Sequence, residues 1–484
     1  MHVVFRSRHL ENERAIQTNI ADGVSDGFLP ASRRLNFTPL VGVIFFTVCG
    51  GAFGIESLFG KLGAGWAIVL ILATPLLWSM PIALMVSELA SAMPVEGGYY
   101  EWVKTALGDF WGFQEGWWTC LYTAVDMAIY PVIFVNYLAF FIPVLQPDAN
   151  GDLSTGQFFA RWAIAATVIA CALALNWNGA KAVGYNSTLF LLVIVVPFGL
   201  LTFFGLSHEN GGITKSFEAF RAGFSGEMNG GLLAIGLATV MWNYSGWDNV
   251  STFAGEVNNA SRNYPRALFA AMGLAVCVYL LPTFALIAHT TSPDAWNETA
   301  GFPVLAGMVS GPALGTMLAV AALVSAWSLF NSQILYASRL PFAMARDGWL
   351  PQFLSRSNAK TGVPTHALVA CCVVAGIFAA LPFGKLVIMD IILYSAELLL
   401  EFIALLVLRQ TMPEMERPFK VRGGIVVLVL ITIAPMAFAV TVIWATLSDP
   451  EVDVRHLWVV AGGLASGVVL YYLRRSKVAA ATAV

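Results

Sequence analysis

Five carboxylates, Glu56, Asp126, Asp248, Glu397 and Glu401, lie deep in apolar stretches of this chain, and no Lys or Arg occupies the middle of any such stretch. A charge held in hydrocarbon costs at least about 2.5 to 3.5 kcal/mol, and the usual structural remedy is a resident partner cation. A bound proton or a cationic ligand can neutralise these groups instead, and the two are compatible. An unpaired buried carboxylate favours its protonated form, so one member can hold a proton in the empty state and ionise as a cation arrives. Tyr122, Asp126 and Tyr130 stand four apart and share one helical face. Rings placed there can pack on methylenes and attract an ammonium, worth about 0.5 to 2 kcal/mol per contact; they can equally be packing between helices. Asp390, Tyr394, Glu397 and Glu401 follow at steps of four, three and four, again on one face. That stripe reads as a proton path or as a water-filled polar seam near the helix ends, the latter preferred for Asp390 and Glu401. Glu88, Glu96 and Glu101 are assigned structural roles near the end of the second apolar stretch.

The elements that must hold these groups are membrane helices. The 484 residues are 58% hydrophobic and 11% charged, with a mean hydropathy of +0.73, more apolar surface than water tolerates. Apolar runs reach the roughly 20 residues that cross a bilayer as helix, and the dyad alternation of a membrane barrel is absent. The spans predicted are roughly 37 to 60, 65 to 92, 111 to 142, 158 to 176, 183 to 206, 230 to 256, 265 to 289, 313 to 338, 364 to 381, 386 to 408, 424 to 447 and 456 to 473. With the N-terminus inside, 20 of the 26 basic residues fall on the cytoplasmic side, leaving only Lys61, Arg161, Lys215, Arg221, Lys385 and Arg455 outside. The positive-inside rule therefore predicts an even helix count with both termini cytoplasmic. All six cysteines lie in apolar spans and are expected as free thiols without metal-ligand spacing. Residues 1 to 35 carry no signal-peptide core and read as a cytoplasmic tail.

Two spans are interrupted alike. The first contains Cys49-Gly50-Gly51-Ala52-Phe53-Gly54, and the sixth contains Trp242-Asn243-Tyr244-Ser245-Gly246-Trp247-Asp248. Each glycine weakens a helix by about 1 kcal/mol relative to alanine, and the freed backbone is tolerated only where protein or a cavity satisfies it. The alternative is close helix packing through small residues. Breaks five helices apart predict an inverted repeat, with a ligand near the midplane between half-helix ends.

At these residues the chain resembles the amino acid, polyamine and organocation transporter superfamily, from about Asn36 to Arg475. The likeness is carried by Gly50 to Gly54, Glu88-Leu89-Ala90 with Pro94 and Glu96 to Tyr100, Asn176 to Lys181, Ala254 to Val257, Arg262 to Ala267, and Arg339 to Pro351. It is nearest to the polyamine uptake transporters, through Phe53 to Glu56, Trp111 to Gln114, Gly246 to Ser251, Leu400 to Ile403 and Arg417 to Lys420. The resemblance implies an all-α membrane protein of about twelve helices: a five-plus-five inverted-repeat core with broken helices one and six, and two peripheral helices, working by alternating access. The expected division is a tail at 1–35, the core at 36–408, the peripheral pair with its preceding loop at 409–475, and a tail at 476–484. It also implies that Trp242 stacks on the substrate's distal group, that Asp248 is an acidic coupling or binding residue, and that Tyr394 is a gate or pocket residue. One departure is the wholly apolar run Leu191 to Pro197, where many proton-coupled amino acid symporters carry a lysine.

The expected substrate site is Gly50, Gly51, Phe53, Gly54, Glu56, Tyr122, Asp126, Tyr130, Trp242, Ser245, Gly246, Trp247, Asp248 and Tyr394, with Asp248, Glu56 and Glu397 as proton-coupling candidates. A polyamine brings only ammonium groups and needs protein carboxylates, whereas a neutral amino acid brings a carboxylate that several fixed anions would repel. Proton-driven polyamine or organic-cation uptake across the cell membrane is therefore the leading expectation. The alternative is an amino acid symporter or exchanger, with Gly50 to Gly54 holding the substrate carboxylate. A nutrient sensor with this fold is a third reading; no catalytic or nucleotide motif points to an enzyme. Ser325 and Ser328 resemble sodium-binding positions of some relatives, but such hydroxyls also bond their own helix, and a proton is preferred over sodium. No cofactor, metal, nucleic acid or disulfide-linked partner is expected; residues 143 to 157 contain no cysteine.

Overall fold

The computed structural model describes residues 36–94, 98–148, 152–177, 183–207, 212–224, 230–249, 251, 257–291, 295–296, 301–358, 362–448 and 454–482. Among them the chain is helical: α1 Phe37–Val48, α2 Glu56–Thr74, α3 Met80–Ala92, α4 Tyr99–Leu107, α5 Asp109–Leu138, α6 Thr155–Asn176, α7 Val183–Ser207, α8 Ile213–Ala222 and α9 Gly230–Asn243. There follow α10 Ala260–Leu286, α11 Gly301–Ser310, α12 Pro312–Ala337, α13 Arg339–Arg346, α14 Thr365–Phe378, α15 Phe383–Thr411, α16 Gly424–Ser448 and α17 Arg455–Thr482. Eight helical stretches are long and apolar enough to cross a membrane, and five shorter apolar helices accompany them. Hydrocarbon explains this economy, since a helix satisfies its own backbone polar groups where no water can.

The side chains are arranged inside out relative to a water-soluble protein. On α16 and α17, Trp444, Val440, Trp458 and Val469 are exposed, while Asp126, Asp248, Asp390, Glu397 and Glu401 are buried. Apolar surface faces outward as in a lipid-solvated bundle. At the centre stands α5, which packs against α4, α6, α12, α14, α15 and α17. To one side α1 packs on α7 and α10, and α9 packs on α2, α15 and α16.

Each predicted span falls on a described helix, with differences that have local causes. Gly63, at φ 78°, divides α2, so its first turns continue the interrupted first span and the remainder runs through a π-helical turn at Pro75–Ser79 into α3. The short apolar helix α11 was not among the predicted spans; ten residues are too few to register as one. Val95, Glu96, Gly97 and 252–256, with both predicted tails apart from residues 476–482, fall outside the described residues.

Candidate functional site

Both predicted interruptions are real gaps in helix, and the fold brings them together. After α1 the backbone leaves helical geometry at Cys49, and Gly51 adopts φ +105°, a conformation open to glycine. At Gly50 a Cβ would lie 2.2 Å from Leu329 and 2.4 Å from Ser325, so only glycine lets α12 approach this closely. Ser325 donates its hydroxyl to the freed Gly50 carbonyl. The second gap opens after Asn243, and its carbonyls are answered by side chains from neighbouring helices. Tyr279 donates to the Asn243 carbonyl at 2.7 Å and Ser79 to that of Tyr244 at 3.1 Å. Trp247 also donates to the Tyr244 carbonyl, at 2.7 Å, so its indole caps the break. This is the condition under which irregular backbone is tolerated at membrane depth.

Between the gaps lies a narrow cavity, about 30 Å³ to the centre of a water-sized sphere. Gly50, Gly51 and Phe53 from the first gap meet Trp242, Ser245 and Gly246 from the second; Tyr122, Asp126 and Tyr130 line it from α5, Ser325 from α12 and Asp390 from α15. Asp126 is held from three directions. Trp242 Nε1 donates to it at 3.0 Å and the Tyr130 hydroxyl at 3.3 Å, while Gln333 Nε2 donates to the same oxygen as Tyr130. Asp390 shares the cavity with both oxygens buried and without a hydrogen-bond partner. Two groups of aromatic rings stand at the cavity: Trp242 lies 6.0 Å from Tyr130 and 5.6 Å from Phe383 behind it, and Tyr122 lies 4.9 Å from Tyr394 behind it. Among the described residues the lining contains no Lys, Arg or His.

Asp390 is a correction. The preferred sequence reading placed it in a polar seam near a helix end, but α15 starts at Phe383, two turns earlier, and buries Asp390 in the cavity wall. Glu401, given the same reading, is also fully buried. Gln333, Asn243 and Tyr279 belong to the site and were not among its expected residues, although Asn243 lies in the quoted interruption. Of the expected site residues, Gly54, Glu56, Trp247, Asp248 and Tyr394 do not line the cavity. Glu56 accepts from the Gly54 amide at 2.8 Å, the Phe302 amide at 3.3 Å and the Tyr137 hydroxyl, tying the first gap to α5 and α11. Tyr394 bridges α15 to the second gap: its hydroxyl accepts from the Gly246 amide at 3.0 Å and donates to Asp248. The second oxygen of Asp248 is buried without a partner.

The remaining acids behave differently. Glu88 receives Arg409, Arg417 and the Val421 amide, a structural role as expected. Glu101, on α4 outside the spans, is pushed up by burial while Lys104 at 3.9 Å opposes the shift. Ser328 donates to the Val324 carbonyl of its own helix at 2.6 Å.

Asp126 and Asp390 thus share one buried cavity between the two helix gaps. The amino acid permease family model matches residues 40–467. The chain belongs to the amino acid permease family. It is thus a multi-pass membrane transporter of the amino acid, polyamine and organocation superfamily. Similar proteins include polyamine transporter PUT1 of Oryza sativa subsp. japonica, 31% identical over 95% of this chain and 82% of that protein. Polyamine transporter RMV1 of Arabidopsis thaliana is 33% identical over 88% of this chain and 85% of its own length. The methylthioribose transporter of Bacillus subtilis (strain 168) is 26% identical over 88% and 90% respectively.

Proposed function

We propose that the chain is a secondary carrier of polyamines or related organic cations, driven by protons and working by alternating access. The observation that carries this reading is Asp126 and Asp390 on one buried cavity whose lining holds no basic residue. Asp390, with no hydrogen-bond partner, receives a substrate ammonium. Asp126, oriented by Trp242, Tyr130 and Gln333, receives a second or steers the first. Phe53, Tyr122, Tyr130 and Trp242 enclose the methylenes, and Gly50, Gly51, Ser245 and Gly246 shape the floor with their backbone. Asp248 stands behind Tyr394 as a coupling residue, Trp247 braces the second gap, and Glu56 with Gly54 fastens the first.

In this reading there are twelve crossings. The first comprises α1, its gap and the start of α2; the second is the rest of α2 through α3, followed by α5, α6, α7, α9 with its gap, α10, α12, α14, α15, α16 and α17. Crossings one to five and six to ten form inverted repeats within residues 36–408, and the last two are peripheral within 409–475. Both termini face the cytoplasm of a cell membrane. The names of the plant relatives support an amine cargo. The family's description favours an amino acid as second reading, but the Gly54 amide is occupied by Glu56 and the Gly246 amide by Tyr394, which leaves fewer donors for a carboxylate.

Uptake of labelled putrescine, spermidine and a panel of amino acids into proteoliposomes, with and without an inward proton gradient, tests the proposal. Amines should accumulate only with the gradient. Accumulation of amino acids with no amine uptake would replace it with the second reading.

A further inference from the structure

Beyond the cavity, the faces of α5 and α15 that carry Asp126 and Asp390 run on as a polar seam whose far part the cargo site does not use. On α5 the residues Glu115, Thr119, Tyr122 and Asp126 follow at steps of four, three and four, and on α15 Asp390, Tyr394, Glu397 and Glu401 follow at the same steps. The two helices pack together, and these faces meet in antiparallel register. Asp126 and Asp390 share the cavity; the Tyr122 and Tyr394 rings lie 4.9 Å apart; Thr119 stands beside Glu397; and Glu401 lies within the field of Glu115. From Asp390 to Glu401 the helix rises roughly 16 Å, about half the thickness of the hydrocarbon.

Beyond the tyrosines the seam holds three more buried carboxylates and, among the described residues, nothing that answers them. Glu115, Glu397 and Glu401 are at most 1% exposed, and none of their six oxygens receives a hydrogen bond. The Thr119 hydroxyl, beside Glu397, donates a hydrogen bond to the Glu115 carbonyl at 2.8 Å. Among the described residues, the charged and titratable groups around them are Asp248 on the second gap, Asp390 and Tyr394 on α15, Tyr99 on α4, Tyr264 on α10 and Cys120 on α5; none is basic. Tyr264 is an independent sign of a ligand: its hydroxyl, on a side chain 1% exposed, has no partner and lies in the field of Asp248 and Glu401. Carboxylates buried along one seam, with no cation beside them among the described residues, do not all ionise together. None of the three lines the cargo cavity, so the seam is distinct from the place where an organic cation would sit.

We propose that this seam is the route of the coupling proton, with Glu397, Glu115 and Glu401 as its carriers and the Tyr394–Asp248 contact as its junction with the cargo cavity. The inference rests on the proton-driven carrier reading above. Each step transfers one proton from a carboxylic acid to a neighbouring carboxylate, directly or through one water, so that the donor becomes the carboxylate and nothing else changes. Glu397 and Glu401 on α15 rise roughly 6 Å apart, a gap that one water bridges, and the roughly 10 Å rise from Asp390 to Glu397 is divided by the Tyr394 hydroxyl. The register places the Glu115 and Glu401 end toward the start of α5, which the proposed topology puts at the cytoplasmic face.

Two assays on proteoliposomes separate this route from cargo binding. One follows accumulation of labelled putrescine under an inward proton gradient, with a pH-sensitive dye inside. The other follows exchange of labelled for unlabelled putrescine at equal pH, which requires no net proton movement. Glu397→Gln and Glu115→Gln should each keep exchange within about twofold of the parent and lose accumulation at least tenfold, with the dye response lost in step. If one variant does not fold by size exclusion and melting, the other carries the same expectation. Accumulation and dye response at parental level in a folded variant would overturn the proposal, as would proportional loss of exchange, which would make the seam part of the cargo site. A parent that exchanges an amino acid but no putrescine would sink the cargo reading alone, because the same pair of assays run on that amino acid still tests the seam.

Discussion

Two regions of this molecule bury carboxylates, and they treat them in opposite ways. Near the end of α15, Glu88 is fully buried and receives two arginines, one at 3.3 Å and one in bidentate contact, together with the Val421 amide. In the cavity, Asp390 is buried as completely and receives nothing. The chain can therefore bring cations to an interior acid where the fold requires a fixed pair. Where it does not, the proposed reading has a mobile cation supply the missing charge. The distinction separates an acid that holds the structure from an acid that waits for a ligand, and substitutions should reveal it as a split between stability and transport.

The largest effect is expected at the structural end. Glu88→Gln leaves Arg409 and Arg417 beside an uncharged group in a largely buried site, and breaking such a pair costs about 3 to 5 kcal/mol. Loss of monodisperse protein, or a melting temperature lowered by many degrees, should result whatever the cargo; unchanged melting would dissolve the comparison. Asp390→Asn should do the reverse. It removes an unanswered charge, so the melting temperature should hold or rise, while putrescine uptake falls about 10- to 100-fold, corresponding to the roughly 1.5 to 3 kcal/mol of a hydrogen bond to a charged group. Uptake at parental level would remove Asp390 from the site. Trp242→Phe is smaller. It deletes the indole donor at 3.0 Å from Asp126 but keeps an aromatic wall, and Tyr130 and Gln333 still hold the carboxylate. A rise in the putrescine KM of about 3- to 10-fold, corresponding to about 1 kcal/mol, with little change in maximal rate, is expected.

The difference between these regions was only half legible in the sequence. The gaps could be read because glycine clusters weaken helix wherever they occur, and Gly50, Gly51 and Gly246 do so here with the second gap in matching position. Asp126 could be read because it lies mid-span between two tyrosines at helical spacing. Asp390 could not be read correctly because its depth depends on where α15 starts, and a start predicted near 386 instead of Phe383 moved it toward the membrane surface. Glu115 escaped notice for a related reason. It lies in the second turn of α5, and what buries it is tertiary, since α4 and α17 pack over that helix. The partners of Glu88 lie more than 300 residues further along the chain, a pairing that no local pattern announces.

The smallest expected effect distinguishes two coupling ions. Ser325 and Ser328 lie one turn apart on α12 and together resemble a sodium site, but their hydrogen bonds diverge. Ser325 donates to the Gly50 carbonyl at the first gap, and Ser328 donates back to Val324 on its own helix. A hydroxyl engaged with its own helix has its oxygen lone pairs left for an ion, but needs a second converging donor set, and the Gly50 carbonyl that would supply it is already taken by Ser325. Ser328→Ala should therefore change melting by no more than about 0.5 kcal/mol equivalent, as substitutions away from the main structural features do. Putrescine uptake by this variant should match the parent in sodium and in choline buffers alike. Uptake that requires sodium in the parent and disappears in the variant would show that the mobile cation answering these acids is a metal ion, and the division between fixed and proton-bearing carboxylates would have to be redrawn around α12.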